Sequence, residues 1–121
     1  MTDVTQIAQN YIAAWNETDP VHRNRLVAGH WAGDAVYIDP MMQAAGHEQI
    51  AGLIGAVHER FPGFRFTLDG KPDGYGDKVR FSWKLGPQSE PDMIKGTDFA
   101  VVEKGKLKSV TGFLDKVPAG A

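Results

Sequence analysis

The chain has 121 residues, 42% of them hydrophobic and 23% charged, and it contains no cysteine. One domain with a single core is therefore expected, and disulfides, thiolate metal sites and a cysteine nucleophile are excluded. Lys+Arg number 13 against 15 Asp+Glu, a formal net charge of −2, so no basic excess points to nucleic acid or an anionic membrane.

The opening stretch, MTDVTQIAQN, lacks the basic and apolar runs of a signal peptide. A first helix is predicted from Val4, Ile7, Ala8, Tyr11, Ile12 and Trp15, which recur at helical spacing, with Asp3 or Thr2 as its cap. Asp19-Pro20 suits the start of a short second helix, with Pro at its first position and Gly29 at its end. Ala35 to Asp39 reads as a short strand halted by Pro40. A methionine-containing loop follows. Gly46 then opens a third helix whose stripe is Ile50, Leu53, Ile54, Val57 and Phe61. Pro62-Gly63 ends it.

The second half alternates at period two. Phe64, Phe66 and Leu68 form one run, and Val79, Phe81, Trp83 and Leu85 another. A polar loop from Gly86 to Asp92 leads into the run Ile94 to Glu103. Lys104-Gly105 reads as a tight hairpin turn into Leu107 to Asp115. The tail, residues 116–121, is expected to be loose. Neither repeats nor linkers interrupt the chain, and no apolar run approaches the roughly 18 residues of a membrane-spanning helix. A cytoplasmic protein is the expectation. Three helices followed by an antiparallel meander predict an α+β domain, with the helices on one face of a curved sheet. Such a sheet makes a cone open at one end, a concave apolar place for a small ligand.

Most chemical motifs are missing. Gly74-Tyr75-Gly76 lacks the third glycine of a dinucleotide loop. His47-Glu48 has no second histidine at zinc-protease spacing. His22, His30, His47 and His58 share no ligand spacing, so neither metal nor cofactor is expected. What remains is a set of polar residues in apolar settings. Tyr11 lies on the stripe of the first helix. Asp39 ends the short strand. Asp98 sits mid-strand, where Asp is a poor strand former, with Ala100 and Val102 on its own face. A buried carboxyl there must be hydrogen-bonded, protonated or both. Trp15, Phe61, Phe81, Trp83 and Phe113 supply aromatic lining for an apolar cavity, and Met41 a side chain for its mouth.

The segments Gln9-Asn10-Tyr11-Ile12-Ala13-Ala14-Trp15-Asn16, Tyr37-Ile38-Asp39-Pro40 and Gly96-Thr97-Asp98-Phe99 resemble the SnoaL-like branch of the nuclear-transport-factor-2-like superfamily. The resemblance covers residues 4 to 115. It implies a conical α+β barrel and a homodimer; pairing through the exposed sheet face would put Arg80, Ser82 and Lys84 at or near the interface. A finer resemblance is to the Δ5-3-ketosteroid isomerases. It implies Asp39 as general base, and Tyr11 and a protonated Asp98 as donors to an enolate oxygen. Gly96-Thr97-Asp98 reads more like the polyketide-cyclase relatives. Cofactor-free proton abstraction α to a carbonyl, ending in isomerisation or ring closure, is the implied chemistry.

Each of these residues also has a structural reading. Tyr11 could bond a backbone carbonyl, Asp39 could close an Asx-type turn, and Asp98 could satisfy its neighbours. A non-catalytic module that binds an apolar small molecule or a protein partner is then the alternative. Convergence of Tyr11, Asp39 and Asp98 within a few Å at the base of one cavity favours the enzyme; dispersal over separate faces favours the binder.

Overall fold

A computed structural model describes residues 3–118. Thr2, offered as a possible cap, and residues 119–121 of the expected tail lie outside the described residues. The elements in chain order are α1 (Val4–Asn16), α2 (Pro20–His30), β1 (Trp31–Ile38), β2 (Gln43–Ala45), α3 (Gly46–Arg60), β3 (Arg65–Leu68), β4 (Asp73–Tyr75), β5 (Lys78–Gly86), β6 (Ile94–Glu103) and β7 (Lys106–Lys116).

Local chemistry accounts for the ends of these elements. Asp3 caps α1 by accepting from the Gln6 N–H, which satisfies one of the free donors of the first turn. At the start of α2, Pro20 takes the first position, and Asp19 makes no side-chain cap bond. The tight turn between β6 and β7 holds both Lys104 and Gly105 at positive φ, 52° and 78°, the backbone a two-residue hairpin of matching twist needs.

The sheet runs β2-β1-β7-β6-β5-β3, with β4 paired to β5. Its pairings are antiparallel except β1 with β7, which is parallel. Three helices thus meet a curved, mostly antiparallel sheet that is not closed. The core lies between them. From α1 it takes Ile7, Ala8, Tyr11 and Trp15, and from α3 Ile50 and Ile54. β5 contributes Val79, Phe81, Trp83 and Leu85. These are the positions the two periodicities pick out.

Three differences from the sequence reading have local causes. The first strand begins at Trp31 rather than Ala35, directly after α2 and without a loop; Trp31 itself is fully buried. The Met loop carries the short strand β2, and β4 forms beside Lys78–Arg80; at 3 residues each these are too short to show a period. Phe113 lies on the outer face, 54% exposed, rather than inside. Its parity is inverted by a register shift in the β6–β7 pairing: Val102 pairs with Leu107, but Val101 pairs with Ser109. Counting by twos from the buried Leu107 points Phe113 inward. The extra residue flips everything beyond it, so Val110 and Gly112 face the core and Phe113 faces out.

Candidate active site

Four elements deliver side chains to one place. Tyr11 comes from the inner face of α1, Tyr37 from the inward parity of β1, Asp39 from the residue after β1, and Asp98 from the inward face of β6. The Tyr11 hydroxyl donates to Asp98 Oδ2 at 2.5 Å. The Tyr37 hydroxyl donates to Asp39 Oδ2 at 2.6 Å. Asp39 Oδ1 accepts from the backbone N–H groups of Met41 and Met42, at 2.8 and 3.0 Å. This is the Asx-type turn that a residue before proline commonly makes.

The two pairs meet over Gly112, which lies opposite Asp98 in the β6–β7 ladder. A Cβ on Gly112 would stand 2.8 Å from Asp98 Oδ1, 3.3 Å from Asp39 Cβ and 3.6 Å from the Tyr37 hydroxyl. One point is thus flanked by both carboxyl side chains and a phenol, so closely that a side chain at position 112 would collide with Asp98. Tyr11, Asp39 and Asp98 converge around this point. Sequence reasoning missed Tyr37 and Gly112. For Tyr37 a signal existed: Ala35, Tyr37 and Asp39 share one parity, so a phenol two residues before the carboxylate stands on its face of the strand.

The two carboxyls have different surroundings. Asp98 is 1% exposed, and its carboxyl is pushed up to about 6, first by burial. The Tyr11 hydroxyl and the Trp83 indole pull it back down, while the charges of Asp39 and Asp115 raise it further. Asp39 is only half-buried and holds three donors. Burial, then the negative field of Asp98, raises both phenols well above the ordinary tyrosine range. Both therefore remain proton donors.

Aromatic rings wall the site. Trp15 packs on Tyr11, Tyr37 and Phe66, with ring centroids 6.0, 5.6 and 5.2 Å apart. Phe81 meets Tyr11 edge-on at 4.8 Å, and Trp83 meets Phe66 at 5.4 Å. Trp83 needs Gly96 opposite it on β6, because a Cβ there would stand 2.2 Å from its Cζ2. Of the other expected lining residues, Phe61 stacks on Phe64 beside the core and Met41 is 69% exposed. Among the described residues, three buried polar atoms have no hydrogen-bond partner: Trp15 Nε1, Trp31 Nε1 and Asp98 Oδ1. All three belong to residues that contact Tyr11.

Depressions of about 700 and 400 Å³ lie on the outer face of the sheet. Arg80, Ser82, Thr97, Phe99, Phe113 and Asp115 are among the residues lining the larger one. Arg80 pairs there with Asp73 at 2.7 Å, away from Asp39 and Asp98. Among the described residues, no group of three or more His, Cys, Asp or Glu could hold a metal ion. Nor is any described helix long and apolar enough to cross a membrane.

Comparison with known proteins places the geometry in context. The family model of the SnoaL-like domain matches residues 8–110. The chain is similar to a proposed isomerase of the SnoaL-like family from Agrobacterium tumefaciens, at 46% identity and a TM-score of 0.90, over 95% of this chain and 99% of that one. Two more distant structures share the fold. One is a hypothetical protein from Catenulispora acidiphila with a ketosteroid isomerase-like fold, in complex with trimethylamine; identity is 22% and TM-score 0.75, over 91% and 85% of the chains. The other is a proposed polyketide cyclase from Sinorhizobium meliloti, at 16% identity and TM-score 0.70, over 88% and 93%. No curated protein matched.

Proposed function

Because the chain belongs to the SnoaL-like domain family, we propose that it is a small-molecule enzyme that moves a proton α to a carbonyl, in isomerisation or ring closure, using only its own side chains. Asp39 is the base. Tyr11 and Asp98 bond the enolate oxygen. The observation that carries this reading is the convergence of Tyr11, Asp39 and Asp98 around Gly112, with a donor-rich carboxylate on one side and a buried carboxyl on the other.

The chemistry needs two carboxyls in opposite states. A base must be ionised and within reach of the carbon acid. An oxyanion donor must carry a proton where charge develops. Asp39 accepts from three hydrogen-bond donors, whereas burial favours the neutral form of Asp98. In the ligand-free protein Tyr11 donates to Asp98, and that bond holds the acid down. A substrate oxygen that takes the Tyr11 hydrogen bond removes the restraint. Enolate charge then adds to burial, and both favour a proton on Asp98. The buried atoms without partners around Tyr11 fit the same reading, since buried polar groups are nearly always bonded. A homodimer joined through the outer sheet face belongs to the same proposal.

The test needs no knowledge of the natural substrate. Deuterium uptake at the α carbons of cyclohexanone in D2O, followed by proton NMR, reads proton abstraction directly. The expected result is exchange faster than in buffer, lost in Asp39→Asn and reduced about 10²–10³-fold in Asp98→Ala. Binding of 2-naphthol, a planar phenol that mimics an enolate, without any exchange would overturn catalysis and leave a binding module.

A further inference from the structure

We propose that Tyr37 is a positioning residue: its phenol aims the reacting oxygen of Asp39, Oδ2, at the space over Gly112. The inference rests on the reading of Asp39 as the base.

Counting lone pairs leads to it. An ionised carboxylate offers about four acceptor sites. Asp39 has three of them occupied, two on Oδ1 by the Met41 and Met42 amides and one on Oδ2 by Tyr37. The site left to take a proton is the second lone pair of Oδ2. The Asx-type turn is already closed through Oδ1, so it has no need of Tyr37. The phenol instead fixes rotation of the carboxylate about its last bond and so sets where the remaining lone pair points.

Its position suits that task. The ring is held in the core, packed on Trp15 and Trp31 with centroids at 5.6 and 6.5 Å. The hydroxyl stands 3.6 Å from where a Gly112 Cβ would be, beside the point that Asp98 Oδ1 also faces. The charged and titratable groups acting there are Asp98 on β6, Tyr11 on α1, Asp115 on β7 through its charge on Asp98, and Tyr37 and Asp39 themselves. Tyr37 holds its proton firmly because of its burial and these two acidic neighbours. It therefore donates to Asp39 and does not compete with it for a proton.

Tyr37→Phe keeps the ring and removes only the donor. In the cyclohexanone exchange assay kcat should fall on the order of 10²-fold, the scale of a small misplacement of a reacting group, with KM changed less than about twofold. Proton NMR should show the Tyr37 hydroxyl as a downfield signal that is absent in Tyr37→Phe and moves upfield in Asp39→Ala, as a short bond to a carboxylate requires. A hydroxyl signal that ignores Asp39→Ala overturns the contact. A responding signal with unchanged kcat in Tyr37→Phe overturns the positioning role. If Asp39→Asn leaves exchange unchanged, the base assignment fails; positioning fails with it, and the hydroxyl signal still decides the contact.

Discussion

The Tyr11 hydroxyl and Asp98 Oδ2, 87 positions apart in sequence, stand 2.5 Å from one another in the core. The bond joins α1 to β6 and leaves the other oxygen of Asp98 unpartnered. A carboxyl raised by burial to about 6, against about 3.9 in an unfolded chain, binds its proton more tightly in the folded state. Its contribution is neutral below about pH 4, where both states are protonated. It turns unfavourable as pH rises toward 6 and stays so above, on the order of 3 kcal/mol at neutral pH. Asp98→Asn keeps an acceptor for Tyr11 and removes the charge. It should raise the melting temperature by several degrees at pH 7, with the advantage shrinking toward pH 4. Thermal melts of both proteins from pH 4 to 8 check this.

Tyr11→Phe separates the partners differently. It deletes a donor that holds the Asp98 carboxyl down, so the Asp98 titration should move above about 6, as carboxyl-carbon NMR would record. The variant also loses a hydrogen bond to a buried acid, typically worth about 1.5–3 kcal/mol when the acid is charged. The loss should be larger at pH 8 than at pH 5, because only the ionised acid gains from the phenol. Equal losses at the two pH values would show that the bond does not distinguish the charge states of Asp98.

Helical spacing and strand alternation made the fold legible because most elements bury one face. Tyr11, Trp15 and the Val79–Leu85 run lie where their periods put them. Asp98 announced itself as a carboxyl among apolar neighbours. Two kinds of feature could not be read. A one-residue shift between paired strands has no local mark, so Phe113 was turned to the wrong face. The role of Gly112 depends on what stands across the ladder and at the end of β1, and a missing side chain says nothing until those neighbours are known. The strand β2 failed for a different reason, since 3 residues hold too little pattern to separate a strand from a loop.

The outer face should carry the dimer contact. Ile38, Phe99 and Phe113 are 48%, 44% and 54% exposed. They adjoin across three strands, since Thr111 pairs with both Ile38 and Phe99, and Phe99 meets Phe113 edge-on at 5.7 Å. Exposed apolar groups gathered in this way on a polar-rimmed surface mark contact sites. Arg80, Ser82 and Thr97 border the same depression. Sedimentation at tens of micromolar should show a dimer for the wild type and a monomer for Phe99→Ser/Phe113→Ser, with the melting of the interior pairs little changed. A wild type that sediments only as a monomer removes the claim.

Gly112 gives the sharpest test of the site as a unit. A methyl group there would meet Asp98 Oδ1 at 2.8 Å and Asp39 Cβ at 3.3 Å, closer than packed atoms sit, so something must shift. Overpacking of this kind typically costs about 1–3 kcal/mol, and the shift displaces the two carboxyls whose alignment the reaction needs. Gly112→Ala should therefore lower stability and abolish cyclohexanone exchange together. Adding Asp98→Ala removes the oxygen in the way. The double variant should recover part of the stability lost by Gly112→Ala, a coupling of about 0.5–3 kcal/mol between touching residues. It should recover no activity, because the donor is gone and the methyl still presses on Asp39. Denaturant melts of the four proteins in the cycle measure the coupling. Strict additivity would mean that residue 112 and Asp98 do not share this space. Full exchange activity in Gly112→Ala would move the reaction away from the point that Asp39, Asp98 and Tyr37 surround.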